Sequence, residues 1–256
     1  MFGRILRRCK RAVGISQKRQ SDFDSFLALT HEHPSDKWNS HRYAEPYFSF
    51  FNPLKAKTLK LLEIGVGGYQ NAETGYSNPN LGGHSLRFWK AFFRNGEIFA
   101  IDIEDKSIHQ EDRITVFQGS QIDVEFLSRV VRTTGSLDII IDDGSHVNSH
   151  VITTFELLFP HLNEGGIYVV EDTQTSYWPG DYGGDAVDRN NSQTMMGYFK
   201  GLVDGLNHAE FPDERYEAGY FEKNIVSISF FHNLIFIRKG QNDCPSNMVR
   251  KSCPRG

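Results

Sequence analysis

Two short apolar runs in this chain end in carboxylates. They are Leu137–His146, L-D-I-I-I-D-D-G-S-H, and Gly166–Asp172, G-I-Y-V-V-E-D. Runs of this kind read as strands buried on both faces, and open α/β sheets bind ligands at the carboxyl ends of their strands. Neighbouring strands would bring Asp142, Asp143, Glu171 and Asp172 to one rim. Four carboxylates so close repel one another unless a cation or a proton sits among them. Asp143, Glu171 and Asp172 offer the hard oxygen donors that Mg²⁺ or another divalent cation takes. His146, three residues past Asp143, stands where a base could reach a metal-bound hydroxyl. The bland alternative makes Asp143 or Ser145 a helix cap and leaves His146 solvated in a first turn. Three metal-competent acids arriving together with a histidine favour a site.

A second group of motifs points to a nucleoside. L-L-E-I-G-V-G-G-Y (Leu61–Tyr69) is a strand running into a glycine-rich turn, where the backbone can approach a ligand closely. The dinucleotide fingerprint needs glycine at position 70, which is Gln70, so a ligand lacking a pyrophosphate fits better and a nicotinamide-dependent oxidoreductase is disfavoured. F-A-I-D-I places Asp102 at the end of the next strand, from which an acid grips ribose hydroxyls. F-Q-G-S-Q-I-D (Phe117–Asp123) offers Gln118, Ser120 and Gln121 to a base, while Asp123 can cap the following helix.

The elements that must position these groups alternate. Strands are expected at Leu61–Val66, Ile98–Ile103, Ile114–Phe117, Leu137–Asp142 and Ile167–Glu171, with helices at Ser85–Phe93, Val124–Val131 and Val147–Leu162. That rhythm means a doubly wound, mostly parallel α/β sheet with right-handed crossovers. Val226–Phe230 and Leu234–Ile237, around a turn at Phe231–Asn233, read as an antiparallel hairpin that closes it. Thr173–Asn191 is a long loop rich in Gly, Tyr and Trp, of the kind that forms lids or binding loops. Ahead of the sheet, Ser21 and Asp22 look like a cap before a helix, and Ser35–Tyr43 reads either as a lid or as Trp38 and Tyr43 packing on the domain. The expected division is a basic arm over 1–20, a helical and lid segment over 21–56, a ligand-binding domain over 57–240 and a tail over 241–256.

Length, composition and charge narrow the class. The 256 residues, 39% hydrophobic and 13% aromatic, suffice for one domain with a large core. No apolar run approaches the roughly 20 residues of a membrane span. Cys9, Cys244 and Cys253 form no C-x-x-C pair, which suits a reducing, cytoplasmic setting and signals neither disulfide nor metal thiolate. Residues 1–20 carry seven Lys and Arg and no acid, and setting them aside takes the formal net charge from −4 to −11. So acidic a body is a poor partner for nucleic acid. The arm itself, with Phe2, Ile5, Leu6, Cys9 and Val13 at helical spacing, could lie on an anionic membrane, dock on a protein or remain a solvated tail.

With these residues in hand, the chain resembles the class I S-adenosylmethionine-dependent methyltransferases. Within them it is similar to the metal-dependent macrolide sugar O-methyltransferases of the mycinamicin VI and demethylmacrocin type. The shared stretches are S-D-K-W…H-x-Y, L-E-I-G-V-G-G-Y, G-G-x-S-L-R-x-W-K, the A-I-D-I strand end, E-D-R-I-x-V-F-Q-G-S-Q, I-D-D-G-S-H and E-D-T-Q-T-S-Y-W-P-G, in order over roughly residues 30–240. The resemblance implies a Rossmann-like methyltransferase fold of seven strands. It implies S-adenosyl-L-methionine held by Glu63, Gly65, Gly67, Tyr69, Ser85, Asp102, Ser120, Gln121 and Asp142. It implies a divalent cation on Asp143, Glu171 and Asp172, His146 as general base, and an acceptor met by Gln174, Tyr177 and Trp178. The expected reaction is O-methylation of a sugar or glycoside with vicinal hydroxyls. The alternatives are a catechol-type acceptor or a cofactor-binding, non-catalytic protein of glycan assembly, and a homo-oligomer is compatible with either. Two features depart from the family pattern. The basic arm stands in place of the auxiliary domain of some relatives, and Asn71–Leu81 looks like an insertion at the site mouth.

Overall fold

A computed structural model describes residues 2–68, 81–213 and 215–246, with side chains from residue 17 onward. The side chains of residues 1–16 of the basic arm, Tyr69, most of the 71–81 insertion and the last ten residues, Cys253 among them, lie outside the described residues.

Long runs of Leu, Ile and Val form five parallel strands: β1 (Leu59–Ile64), β2 (Gly96–Asp102), β3 (Ile114–Gln118), β4 (Leu137–Asp142) and β5 (Leu162–Glu171). The antiparallel pair β6 (Ile225–Phe231) and β7 (Leu234–Lys239) follows, joined by a two-residue turn in which Asn233 takes φ +58°. The spatial order is β3-β2-β1-β4-β5-β7-β6, with β7 antiparallel to β5. The sheet is therefore the expected doubly wound one with a reversed terminal hairpin. Strand order turns back between β1 and β4, which opens a crevice at their carboxyl ends. Register sets the acids level there, since Glu63 pairs with Ile141, Ile64 with Asp142, and Asp142 with Val170.

Alternate strand residues face two separate cores, as a period of two requires. Leu61, Ile98, Ile139 and Val169 meet an aromatic layer supplied by α1 (Phe2–Glu32), α2 (Ala44–Phe51) and α3 (His84–Phe92). Phe26, Phe48, Phe51, Phe88 and Trp89 fill that layer, and Phe26 contacts Phe88 edge to face at 5.0 Å. Leu62, Ile64, Ile140 and Val170 meet Phe126 and Val130 of α4 (Val124–Thr134), Phe155 of α5 (Asn148–Leu158) and Phe199 of α6 (Met195–Gly205). No helix among the described residues is long and apolar enough to cross a membrane.

Two element boundaries differ from the sequence expectation. No cap at Ser21 starts a helix, because α1 passes through it and the Ser21 carbonyl accepts a bond from Ser25 Oγ at 2.8 Å. Neither Gly nor Pro interrupts residues 15–32, and Pro34 follows where the helix stops. Helix α5 ends at Leu158 rather than Leu162, since Pro160 lacks the N–H that another turn needs and Phe159–His161 closes as a 3₁₀ turn.

Gly65, just past β1, takes φ +87°, and a Cβ there would stand 2.1 Å from the Asp143 carbonyl oxygen. Gly165 in β5 also has positive φ, +79°, but open space around it. Urea unfolding is expected to show a loss of about 1–2 kcal/mol for Gly165→Ala, the left-handed term alone. Gly65→Ala should lose clearly more, because backbone must also move. Equal losses would mean that the β1 turn does not pack on the β4 turn as described.

Candidate active site

The carboxyl ends of β1, β4 and β5 gather more acid than the sheet alone could hold. Glu63 and Glu171 are almost fully buried, and Asp143 and Asp172 are partly so. Into their midst comes Lys37, itself 2% exposed. Its Nζ donates to Asp143 Oδ2 in a very short contact and to Glu171 Oε1 at 2.9 Å, and lies 3.2 Å from Glu63 Oε1. An ammonium has three protons, and here three carboxylates surround it. Burial works against the lysine's charge, but Asp143, Glu171 and Glu63 more than reverse that and hold its pKa well above the ordinary range. The same burial pushes Glu63, Asp143 and, most of all, Glu171 upward, with Lys37 only partly offsetting it.

Lys37 was not among the residues expected at the site. It belongs to Ser35–Tyr43, a segment that both packs on the domain and lines a cavity. Trp38 and Tyr43 are buried, and Pro34–Lys37 and Asn39 wall a cavity of about 390 Å³. The opposite wall is Gly65–Gly68 with Gly82–Ser85, and Asp143 lies at the edge shared with the acids. The segment is fastened a second time at Asp172, whose Oδ1 lies 2.7 Å from Tyr43 Oη and 3.0 Å from His41 Nδ1. Tyr47 Oη donates to Glu171 Oε1. A lysine is seldom buried unless paired, so K-W within a polar, aromatic run ahead of an acid-rich sheet was the available signal.

The structure gathers Asp143, His146 and Asp172 so that one ligand atom from each lies within 4.8 Å of the others. His146 Nε2 stands 3.8 Å from Asp143 Oδ1 and 3.7 Å from Asp172 Oδ2, too far to be hydrogen bonded to either. Glu171, expected as a third acid beside them, turns inward to Lys37 and Tyr47. His146 and Asp172 both sit in the left-handed region, at φ +55° and +54°. Such strain in non-glycine residues persists only where the surroundings impose it, and it clusters at functional sites. Thr175 Oγ1 donates to the His146 carbonyl at 2.8 Å, and Asn148 Nδ2 ties the carbonyls of Thr175 and Tyr182. The loop that carries Gln174, Tyr177 and Trp178 is thereby sewn to the His146 turn. The two aromatics are 39% and 48% exposed, open to a ring-shaped partner, and Gln174 Oε1 is buried without a bond. Neither Asp143 nor Ser145 caps α5 in the expected sense, for its N-cap is Val147 with no side-chain bond.

The other expected ligand residues divide. Gly65 and Gly67 form the left-handed turn that walls the cavity, and Ser85 lines it from the start of α3. Asp102 is committed to backbone, with Oδ2 accepting from Val66 N and Oδ1 from Glu104 N, both at 2.9 Å, so it shapes the glycine turn. Glu63 faces inward, where Trp89 Nε1 donates to its Oε2 at 3.0 Å. Ser120 is partly exposed, and Asp123 caps α4 through Phe126 N. Gln121 is fully engaged. Its Oε1 accepts from Ser145 N at 2.8 Å, and its Nε2 donates to Thr154 Oγ1 at 3.0 Å and Asp142 Oδ1 at 3.3 Å. Asp142 is buried on that side, with Tyr168 Oη donating at 3.2 Å.

The free carboxylate oxygens form a donor set that suits a hard divalent cation, with the histidine beside them. Asp143 Oδ1 and Asp172 Oδ2 carry no other hydrogen bond among the described residues, and His146 Nδ1 is buried without a partner.

Comparison with known proteins points to methyltransferases. Residues 80–173 match the model of a methyltransferase-domain family. The chain is 45% identical over 216 residues to mycinamicin VI 2''-O-methyltransferase of Micromonospora griseorubida, covering 80% of this chain and 52% of that one. It is 43% identical over 222 residues to 8-demethyl-8-alpha-L-rhamnosyl tetracenomycin-C 2'-O-methyltransferase of Streptomyces olivaceus, covering 86% and 56%. Among solved structures it is similar to the MycE methyltransferase of the mycinamycin biosynthetic pathway in complex with Mg, SAH and mycinamycin VI. There the TM-score is 0.80 at 42% identity, over 90% of this chain and 57% of that one. The chain thus spans about half the length of the curated relatives it matches.

Asp142 sets a pH dependence for the metal-free protein. Burial raises its pKa from 3.8 to about 6. The folded state therefore holds this proton more tightly than the unfolded chain, so stability falls as pH rises from about 4 through 6. Two units amount to about 3 kcal/mol at most. In chelator, Asp142→Asn should be more stable than the parent at pH 7 and indistinguishable from it near pH 4, by urea titration at both. A variant weaker at pH 7 would contradict the account of this carboxyl.

Proposed function

The chain carries a methyltransferase domain, and from that premise we propose that it transfers the methyl group of S-adenosylmethionine to a hydroxyl of a sugar or glycoside. The observation that carries this is the gathering of Asp143, His146 and Asp172 at the strand ends, beside a cavity walled by the Gly65–Gly68 turn. The named activities of the relatives, methylation of hydroxyls on macrolide and rhamnosyl sugars, support the acceptor class.

Asp143 and Asp172 are the side chains that would hold a divalent cation, with Glu171 next to Asp143 through the contact those two share with Lys37. Such a cation supplies charge that orients vicinal hydroxyls and eases loss of a hydroxyl proton. His146 Nε2, free of any hydrogen bond to the acids, takes that proton as the acceptor oxygen forms its bond to the methyl carbon. The methyl–sulfur bond breaks with its electron pair going to sulfur, which leaves a neutral thioether. The strained His146 backbone, held by Thr175 and by Gln121 through Ser145, fixes the ring for that step. Tyr177 and Trp178 offer flat apolar faces to a sugar ring.

His146→Ala is expected to lower turnover of a glycoside by about a hundredfold or more, the usual worth of a positioned base, while S-adenosylmethionine binds as before. Mass spectrometry of the product and calorimetry of the cofactor measure the two effects. Near-normal turnover would remove His146 from the base role.

A further inference from the structure

The carboxylates proposed to hold a cation each present two oxygens, and the structure treats the two differently. Asp143 gives Oδ2 to Lys37 and turns Oδ1 towards His146. Asp172 gives Oδ1 to Tyr43 and His41 and turns Oδ2 towards His146. The clamping side chains, Lys37, His41 and Tyr43, come from seven consecutive residues, and that segment also walls the cofactor cavity. Its backbone is closed on itself, with Tyr43 N bonded to the Lys37 carbonyl at 2.8 Å and His41 N to the Asp36 carbonyl at 3.1 Å. Arg42, between two of the clamps, is exposed and holds φ +61°. A fastening that forces a non-glycine residue into the left-handed region is a constrained one.

We propose that the strap Lys37–Tyr43 is the positioning shell of the cation site. It fixes the outer oxygen of each acid so that the inner oxygens of Asp143 and Asp172 converge beside His146, which makes strap closure and cation binding one coupled event. This rests on the cation reading given above. Groups that hold a ligand carboxylate from behind orient it and set its basicity, and losing one typically weakens metal binding by about 10–100-fold. Coupling is reciprocal, so a strap that strengthens cation binding is itself tightened by the cation to the same degree. Lys37 adds a fixed positive charge that keeps Asp143 and Glu171 together despite their repulsion. Tyr43 Oη has one proton for two acceptors, Asp172 Oδ1 at 2.7 Å and the Asn233 carbonyl at 3.0 Å, and the nearer, charged oxygen takes it. Tyr43→Phe therefore removes the nearer of the two clamps on Asp172 without altering charge or the buried ring.

The test is calorimetric titration of Mg²⁺ into the full chain and into Tyr43→Phe and His41→Asn. Hydrogen exchange of residues 35–43 is followed with and without Mg²⁺. In the parent, Mg²⁺ should slow exchange across 35–43. In Tyr43→Phe, Mg²⁺ affinity should fall about tenfold or more, and the slowing should shrink by the same factor. Gly165→Ala, destabilised at a distance from the acids, should keep the parent's Mg²⁺ affinity, which separates positioning from mere loss of stability. His41→Asn serves where the tyrosine variant fails to fold, since His41 is partly exposed and is not buried in the aromatic layer. Parent-like Mg²⁺ affinity in both variants, with exchange of the strap indifferent to the ion, would overturn the proposal while leaving the cation site standing. Absence of Mg²⁺ binding in the parent would overturn both.

Discussion

Everything at this site follows from a crowd of carboxylates around one ammonium. Strand register brings Glu63, Asp143, Glu171 and Asp172 to a single rim, and the only cation the described chain places among the first three is Lys37. A buried ion pair is no gain by itself, because desolvation of both partners offsets much of the attraction. Here one positive charge faces more than one negative charge, so the rim retains an excess that burial amplifies. Protonation can relieve it, as the raised pKa of Glu171 indicates, and so can a second cation. In the proposed reading, this electrostatic surplus is what a divalent ion would relieve.

The same contacts explain why residues ahead of the sheet belong to the site. Helices α1 and α2 bury their aromatics against β1, β4, β5 and α3, and between them the chain must cross the rim. Lys37, His41 and Tyr43 lie on that crossing, and Tyr47 follows in the first turns of α2. Packing of Trp38 against Phe88, with ring centres 4.4 Å apart, locks the strap at the height where Lys37 reaches the acids. Structure and chemistry therefore share one set of residues, and the aromatic layer is what sets the position of the ammonium.

Much of this was legible in the sequence, for physical reasons that differ from element to element. The strands announced themselves because a strand buried on both faces is a continuous apolar run, and the acids at their ends because the runs stop on them. The reversed hairpin showed in two β-rich runs separated by a short polar turn. The end of α5 was misjudged because apolar residues continue past Pro160, and the sequence pattern outweighed the missing N–H. Gln121 and Asp102 were read as ligand contacts from their place after strands, and the structure adds the bonds they make to Ser145 and Thr154 and to Val66 and Glu104, partners that no local pattern names. Lys37 stayed hidden because the need for a cation was recognised but assigned to metal alone. A lysine more than a hundred residues from Asp143 leaves no local pattern that says where its tip will lie.

The most direct test of this account is sequential calorimetry on the full chain. S-adenosylmethionine is titrated first and Mg²⁺ into the resulting complex, and the pair is repeated with Asp143→Ala. The account predicts saturable binding of both ligands in the parent, and in the variant retention of the first with loss of the second. Binding of the methyl donor with no heat from Mg²⁺ in the parent would contradict it, because the acid surplus around Lys37 would then be met by protons alone.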